Sequence, residues 1–294
     1  MFEPPPPPPP LPPAPAFKTY ACERTPTAIV IDGDIGKPEW AAFQWTDDFV
    51  DIEGDLKPRP RHRTRVKMCW DDTHFYIAAE MEEPHVWATL TQRDSVIFHD
   101  NDFEVFLNPS CDTKNYYELE VNALNTVWDL LLRKPYRQGG KGENEFDIAG
   151  LKTAVKVHGT TNDPSDTDRG WDVEIALPWA AFTVHEPALN AGEQRQAPKH
   201  GEQWKVNFSR VEWDTTIEHG KYVKVPGRPE HNWVWSPMGL IDMHLPERWG
   251  VVEFRAGTPA AKDQPRTETK AAPGAKTPVK PAASEPASGK PAAR

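Results

Sequence analysis

The sequence predicts an all-β fold, an antiparallel β-sandwich of jelly-roll-like form. Three observations predict it: about ten short runs that alternate with period two or are β-branched, turn residues between them, and almost no helical periodicity. Two end segments stand outside that fold. Residues 3–16 read EPPPPPPPLPPAPA, which favours an extended polyproline helix without internal hydrogen bonds. Residues 257–294 carry one aliphatic side chain beyond alanine, Val279, too little apolar surface to offset the entropy of ordering. The expected organisation is a disordered Pro-rich segment over 1–16, one sandwich domain over 17–256, and a disordered Ala/Pro/Lys-rich tail over 257–294. The middle segment holds all 12 Trp and 11 of the 12 Phe, and about 240 residues is an ordinary size for one all-β domain.

Each element has its own signal. Residues 28–31 are β-branched and run into the turn Asp32-Gly33-Asp34; residues 43–52 are a looser candidate. Over 63–70, Thr64, Val66, Met68 and Trp70 fall on one side; Asp71-Asp72-Thr73-His74 turns the chain and 75–82 returns, a hairpin with one face buried. DFEVFLN (102–108) places Phe103, Val105 and Leu107 on one side and Asp102, Glu104, Phe106 and Asn108 on the other. YYELEVNA (116–123) places Tyr117, Leu119, Val121 and Ala123 opposite Tyr116, Glu118, Glu120 and Asn122. Runs at 126–132, 151–158, 170–177, 202–212 and 248–254 complete the set. Pro178 to Phe182 reads as one helical turn with Pro first, and the polar stretch from Thr183 to Gly201 as a long loop. Gly139-Gly140-Lys141-Gly142 follows no strand-to-helix pattern and reads as a flexible loop rather than a phosphate cradle.

Charge and cysteine usage narrow the partners. The tail from Gly257 carries seven Lys/Arg and three Asp/Glu, so the rest of the chain carries −14 of the net −10. An acidic body argues against nucleic acid as the main partner, since phosphate neutralisation needs a basic stripe. Cys22, Cys69 and Cys111 lack metal-ligand spacing and read as free thiols. The start MFEPPPP has no basic n-region and no apolar h-region, so no secretory signal is expected, and no run of 18 apolar residues predicts a membrane span. The compartment is left open. PxxP spacing near the N-terminus suits an SH3-like partner, but homopolymeric proline carries little specificity.

The segments 100–109 and 116–129 carry the most chemistry. As a hairpin they would gather Glu104, Glu118, Glu120 and Asn122 beside Phe106 and Tyr116 on one sheet face. Several carboxylates there are unusual, because a solvated face normally mixes both signs. Sugars suit such a surface: their hydroxyls need acceptors and amides, and their C–H faces lie on aromatic rings. An exposed face without a ligand is the alternative. In HNWVWSP (231–237), Trp233 and Trp235 share one side and form either a core anchor or a stacking platform. The body is rich in Asp and poor in Cys/His clusters, so a metal, if held, is calcium on oxygen ligands; Asp32 and Asp34 are the candidates, with plain turn chemistry as the equal alternative.

Taken in order, several stretches resemble the family 9 carbohydrate-binding modules. They are IDGDIGKPEW, RVKMCWDDTHFYIAAEMEEPHVWATLTQRDSVIFHDNDFEVFLNP, NYYELEVNALNTVWDLLLRKPY, GLKTAVKVHGTTNDPSDTDRGWDVEIALPW, GEQWKVNFSRVEW and NWVWSPMGLIDMHLPERWGVVEF. The resemblance covers about residues 28–254. It implies a β-sandwich with a sugar site on or near one sheet, structural calcium, and a terminal sugar held between two aromatic rings. By motif position the hydroxyl-binding residues are Glu104 on the DFEVF strand and Glu120 and Asn122 on the next. The rings fall at Phe98 and at Trp233 or Trp235. Two positions depart from the family pattern: Glu120 stands where Arg is usual, and Phe98 where Trp is usual.

The function expected is non-catalytic binding of a mono- or oligosaccharide, associated with polysaccharide or oligosaccharide catabolism. A glycoside hydrolase using Glu104 with Glu118 or Glu120 is the alternative. It suits the residues less well, because neighbouring carboxylates on one face point the same way while an acid and a nucleophile flank a bond. A scaffold with a decayed sugar site is a third reading. A haem-binding sandwich would draw on Met68, Met81, His74 or His99, but Met in a strand is ordinarily core packing.

Overall fold

In the computed structural model, which describes residues 11–183 and 195–257, the alternating runs become strands. They are β1 (Thr19–Arg24), β2 (Val50–Asp51), β3 (Thr64–Trp70), β4 (His74–Glu82), β5 (Asp102–Asn108), β6 (Tyr116–Asn122), β7 (Val127–Leu132), β8 (Gly142–Glu143), β9 (Lys152–Val157), β10 (Gly170–Pro178), β11 (Gln203–Glu212), β12 (Thr215–Glu218), β13 (Lys221–Lys224), β14 (His231–Val234) and β15 (Gly250–Arg255). Thirteen of them form one curled sheet in the order β8-β7-β6-β5-β11-β15-β1-β3-β4-β10-β9, with β14 paired to β11 and β2 to β14. Strands β12 and β13 form a separate hairpin. The ladders are antiparallel except at β1, which runs parallel to both β15 and β3 and joins the two halves. The halves close on each other as a sandwich. Phe103, Val105, Leu107, Leu119 and Phe208 from one half meet Met68, Phe75, Ile77, Val173 and Ile175 from the other. Period-two alternation does this work, since successive side chains leave a strand on opposite faces.

The differences from the sequence reading have physical causes. Residues 28–31 form no strand; Ile29 instead joins Ile35, Trp40 and Phe43 in a cover over Cys69, Tyr76, Ala78 and Ala176. That cover buries the second face of the β3–β4 hairpin, of which only one face was expected to be buried. Of 43–52 only Val50–Asp51 pairs, and residues 178–182 hold a 3-10 turn at Trp179–Ala181. Residues 11–16, placed in the disordered segment, touch the body: the buried Arg248 guanidinium donates to the Pro12 carbonyl, and Pro15 lies against Gly239. The rest of the Pro-rich segment, most of the 183–201 loop and the tail from 258 lie outside the described residues. No described helix is long and apolar enough to cross a membrane.

Candidate functional site

The outer face of β5, β6 and β7 is not open sheet. Glu104 pairs across with Glu120, Phe106 with Glu118 and Asp102 with Asn122, while Trp128 of β7 stands opposite Glu120 and Ser209 of β11 opposite Glu104. One face therefore carries acids and rings, as the alternation predicts. Residues 238–249 fold over one end of it. Met238, Met243, Leu245 and Trp249 pack on Phe106, Tyr116, Leu130 and Leu132, a second apolar core on the far side of the sheet. Where that cover stops, a cavity of about 470 Å³ remains, within the usual range for small-ligand sites.

The floor of this cavity is Glu104, Glu118, Glu120 and Phe106; its walls include Phe98, Trp128, Tyr136, Glu230, Asn232, Asp242 and His244. Phe98 comes from a 3-10 turn at Ile97–His99, fixed by two bonds. Its amide donates to Glu120 Oε2 at 2.9 Å, and its carbonyl accepts from Trp213 Nε1 at 2.9 Å. The Phe98 and Trp128 ring centroids are 6.3 Å apart, tilted by 31°. His244 is held by the Tyr116 hydroxyl at 3.1 Å and meets Tyr136 edge-on.

Burial dominates the electrostatics. It pushes Glu104 up to about 7, with Glu230 adding to the rise and the Ser209 hydroxyl opposing it. Burial, then the neighbouring acids, push Glu118, Glu120 and Asp102 well above the carboxylate range. Burial also drives His244 down to about 4, so its ring is neutral near pH 7. These are the directions that taking charge out of water dictates.

The candidate residues divide. Phe98, Glu104 and Glu120 meet at the cavity. Asn122 does not line it. Its Nδ2 donates to Leu90 O at 2.8 Å and Asp100 Oδ2 at 3.0 Å, and its Oδ1 accepts from Leu124 N and Thr126 N at 3.0 Å. Together they satisfy the whole amide, and the two to Oδ1 build the β6–β7 turn. Trp233 and Trp235 share a side, as alternation requires, but it is the core side. Trp235 lies on Gly250, where a Cβ would meet its ring at 2.4 Å, and beside Phe208. Trp233 stacks on His231 under the Arg61 and Arg210 guanidinium groups. The second ring at the cavity is Trp128, whose pairing opposite Glu120 was the signal for it. Met68 and Met81 are buried in the main core, the ordinary role of Met in a strand.

At Asp32 and Asp34 the cation present is an ammonium. Lys37 Nζ lies 2.8 Å from Asp32 Oδ1 and 2.8 Å from Glu174 Oε1, and also donates to the Val30 carbonyl. Lys37 holds Asp32 down to about 2. Glu174, fully buried, accepts further from Asp32 N, Gly33 N and Trp40 Nε1. Asp34 turns the other way, towards Lys156. Calcium at this turn would have to displace Lys37.

Comparison with known proteins follows the same lines. The sequence profile of the carbohydrate family 9 binding domain-like family matches residues 31–216. No curated protein matches in sequence. Among solved structures, a candidate carbohydrate-binding protein from Bacteroides uniformis is similar at 15% identity and a TM-score of 0.59, covering 82% of this chain and 100% of that one. A family 9 carbohydrate-binding module from Caldicellulosiruptor kristjanssonii, solved with cellotriose, is similar at 16% identity and a TM-score of 0.51. A family 9 module from the same organism solved with glucose is similar at 15% identity and a TM-score of 0.51, and in both cases 84% of this chain and 100% of the other are covered. At these identities the likeness is one of fold.

Proposed function

This chain belongs to the carbohydrate family 9 binding domain-like family, and from that membership we propose that it binds a mono- or oligosaccharide, without catalysis, in the cavity on the outer face of β5–β7. One observation carries the reading: the carboxyl floor of Glu104, Glu118 and Glu120 lies beside the Phe98 and Trp128 rings in a space of about 470 Å³. Acids take hydroxyl protons and rings take the C–H face of a pyranose. The Caldicellulosiruptor module of similar fold was solved with glucose and with cellotriose, which sets glucose and its β-linked oligomers first in the panel to try.

The same floor speaks against hydrolysis. Asp102, Glu104 and Glu120 bring carboxylate oxygens within 4.8 Å of one another on one surface. An acid and its partner in a glycosidase sit either side of the scissile bond. The test is a sugar panel read by tryptophan fluorescence and calorimetry. Glu104→Gln and Trp128→Ala should each weaken binding about tenfold or more, the cost of one charge-assisted hydrogen bond or one stacked ring. Unchanged affinity in both variants, or no sugar bound by the wild type, would remove the site assignment and leave a sandwich whose cavity serves another purpose.

For the turn at Asp32 and Asp34, we infer that Lys37 serves in place of calcium. Calcium added to chelator-treated protein should leave Tm unchanged. Lys37→Met should cost about 1.5–3 kcal/mol, the worth of hydrogen bonds to a charged group, because Glu174 keeps its three N–H donors. That variant, with its oxygens vacated, should then gain Tm on calcium addition. A calcium-dependent rise in the wild type would overturn the substitution.

A further inference from the structure

The charges of the cavity bear on which sugar it takes. Its floor and walls hold five carboxyl groups, Glu104, Glu118, Glu120, Glu230 and Asp242, and among the described residues no Lys or Arg lines it. Asp242 is paired outside the cavity with Arg137 at 3.2 Å. The one basic ring in the wall, His244, is neutral near pH 7 because burial pushes it down to about 4. Elsewhere several buried acids have a cation, while Asp100 and Asp168 are held by N–H donors instead. Glu83 and Glu212 share Arg210, Glu174 has Lys37, and Asp129 has Arg93. The floor acids Glu104, Glu118 and Glu120 have none among the described residues.

A second, independent feature marks the place as built for a ligand. Trp128 is 91% buried, with its ring in the cavity wall, and its indole N–H finds no hydrogen-bond partner among the described residues. Asp102, which does not line the cavity, is fully buried next to Glu104 and Glu120, and its Oδ2 also has no partner among the described residues. Buried polar atoms are nearly always bonded, so an unpartnered indole N–H in the cavity wall calls for an occupant. A metal ion fits poorly. Calcium takes six to eight oxygens, while Asp102, Glu104 and Glu120 supply one tight group of three and the walls beside them are aromatic. An organic ammonium suits both halves of the lining, since carboxylates bond its N–H groups and aromatic faces attract its charge.

We propose that the cavity selects an amino sugar, a hexosamine-class pyranose whose ammonium sits among Glu104, Glu118 and Glu120 and whose ring lies against Trp128 and Phe98. This rests on the carbohydrate-binding reading and sharpens it. The N-acetylated form of the same sugar has no positive charge and loses the contact that the floor offers. The bound ammonium favours the ionised carboxyls, so binding expels protons that the buried acids hold in the free protein.

Calorimetry on the full chain at pH 7 tests this with glucosamine, glucose, N-acetylglucosamine and methylammonium. Glucosamine should bind at least tenfold tighter than the two neutral sugars and than methylammonium. Its apparent enthalpy should change with the ionisation enthalpy of the buffer, which reports protons released and needs no variant. Glu118→Gln, isosteric with the protonated acid, should shrink the glucosamine-to-glucose affinity ratio at least fivefold. Glucose or N-acetylglucosamine binding as tightly as glucosamine would overturn the amino-sugar inference and leave the carbohydrate reading standing. Methylammonium binding as tightly as glucosamine would overturn it as a cation site without sugar recognition. No binding of any sugar would overturn both.

Discussion

Arg210→Met should lower stability by about 3–5 kcal/mol, the cost of stranding buried carboxylates by removing their cation. Arg210 is fully buried on β11 and reaches from one half of the sandwich to the other. Its Nη1 donates to Thr64 Oγ1 at 3.2 Å and to the Glu82 carbonyl at 2.8 Å. Its Nη2 donates to Glu83 Oε2 at 2.6 Å and Glu212 Oε2 at 2.9 Å, and Asn101 Nδ2 bridges the two acids. Burial and the charge of Glu212 push Glu83 well up; at Glu212 burial is the largest single effect, but Arg210, the hydrogen bond with Glu83, Arg61 and His62 together hold it below the usual range. The cluster is thus one guanidinium shared by two acids of unequal acidity. Met replaces the stem of Arg but none of its donors. Urea melts at pH 7 should show the loss as a lower midpoint with an unchanged m-value. Adding Glu83→Gln to Arg210→Met should recover part of it, because the stranded charge is then removed rather than exposed. A loss under about 1 kcal/mol would mean that water reaches the acids and that the cluster is no clamp.

How much of this was legible in the sequence differs between floor and walls. The floor follows from period two alone: DFEVFLN and YYELEVNA put Glu104, Phe106, Glu118 and Glu120 on one side, and a tight hairpin brings them together. Apart from Trp128, most of the walls come from segments without periodicity, spread between residues 98 and 244. Phe98 sits in a turn, Tyr136 in another, and Glu230 to His244 arrive from the far end of the chain. No local pattern reports such a meeting, because it depends on which loop crosses which strand. Trp233 and Trp235 show the limit from the other side. Alternation correctly placed them together, but which side of the sheet they faced was set by β14 pairing with β11, a contact invisible to spacing. Asn122 sat on the right face, but its amide is used up by the turn after β6 and by bonds to Leu90 and Asp100. The calcium expectation rested on acid content and on resemblance; a lysine five residues beyond Asp32, whose ammonium lies between Asp32 and Glu174, could not be foreseen from the turn itself.

Between about pH 7.5 and pH 8, stability should fall as pH rises, and the acid floor should be a main contributor. The sign follows from proton counts. Asp102, Glu104, Glu118 and Glu120 all have folded values raised by burial, Glu104 to about 7 and the others further. Above the ordinary carboxyl value of 4.5 the unfolded chain has released those protons while the folded chain keeps them. The folded state then binds more protons, so raising pH favours unfolding, by about 1.4 kcal/mol per pH unit for each proton kept. The histidines act in the opposite direction but lower down. His62, His74 and His244 are pushed below 6.5 by burial, so their contribution grows up to and through pH 6.5 and is complete about one pH unit above it. Glu212, Asp71 and Asp214 are held below the carboxylate range and act in the acid limb. Burial raises Glu83, Asp129 and Asp172 as well, so the floor's share of the slope is the part that its own substitutions remove. Denaturant melts across this pH range should give a falling ΔG in the wild type and a flatter line in the triple variant Glu104→Gln, Glu118→Gln, Glu120→Gln, which should also be the more stable protein at pH 8. Amino-sugar ligand at saturation should flatten the wild-type line in the same way, since the ammonium takes over the work of the protons. A wild-type slope that survives all three substitutions would place the titrating groups elsewhere in the molecule.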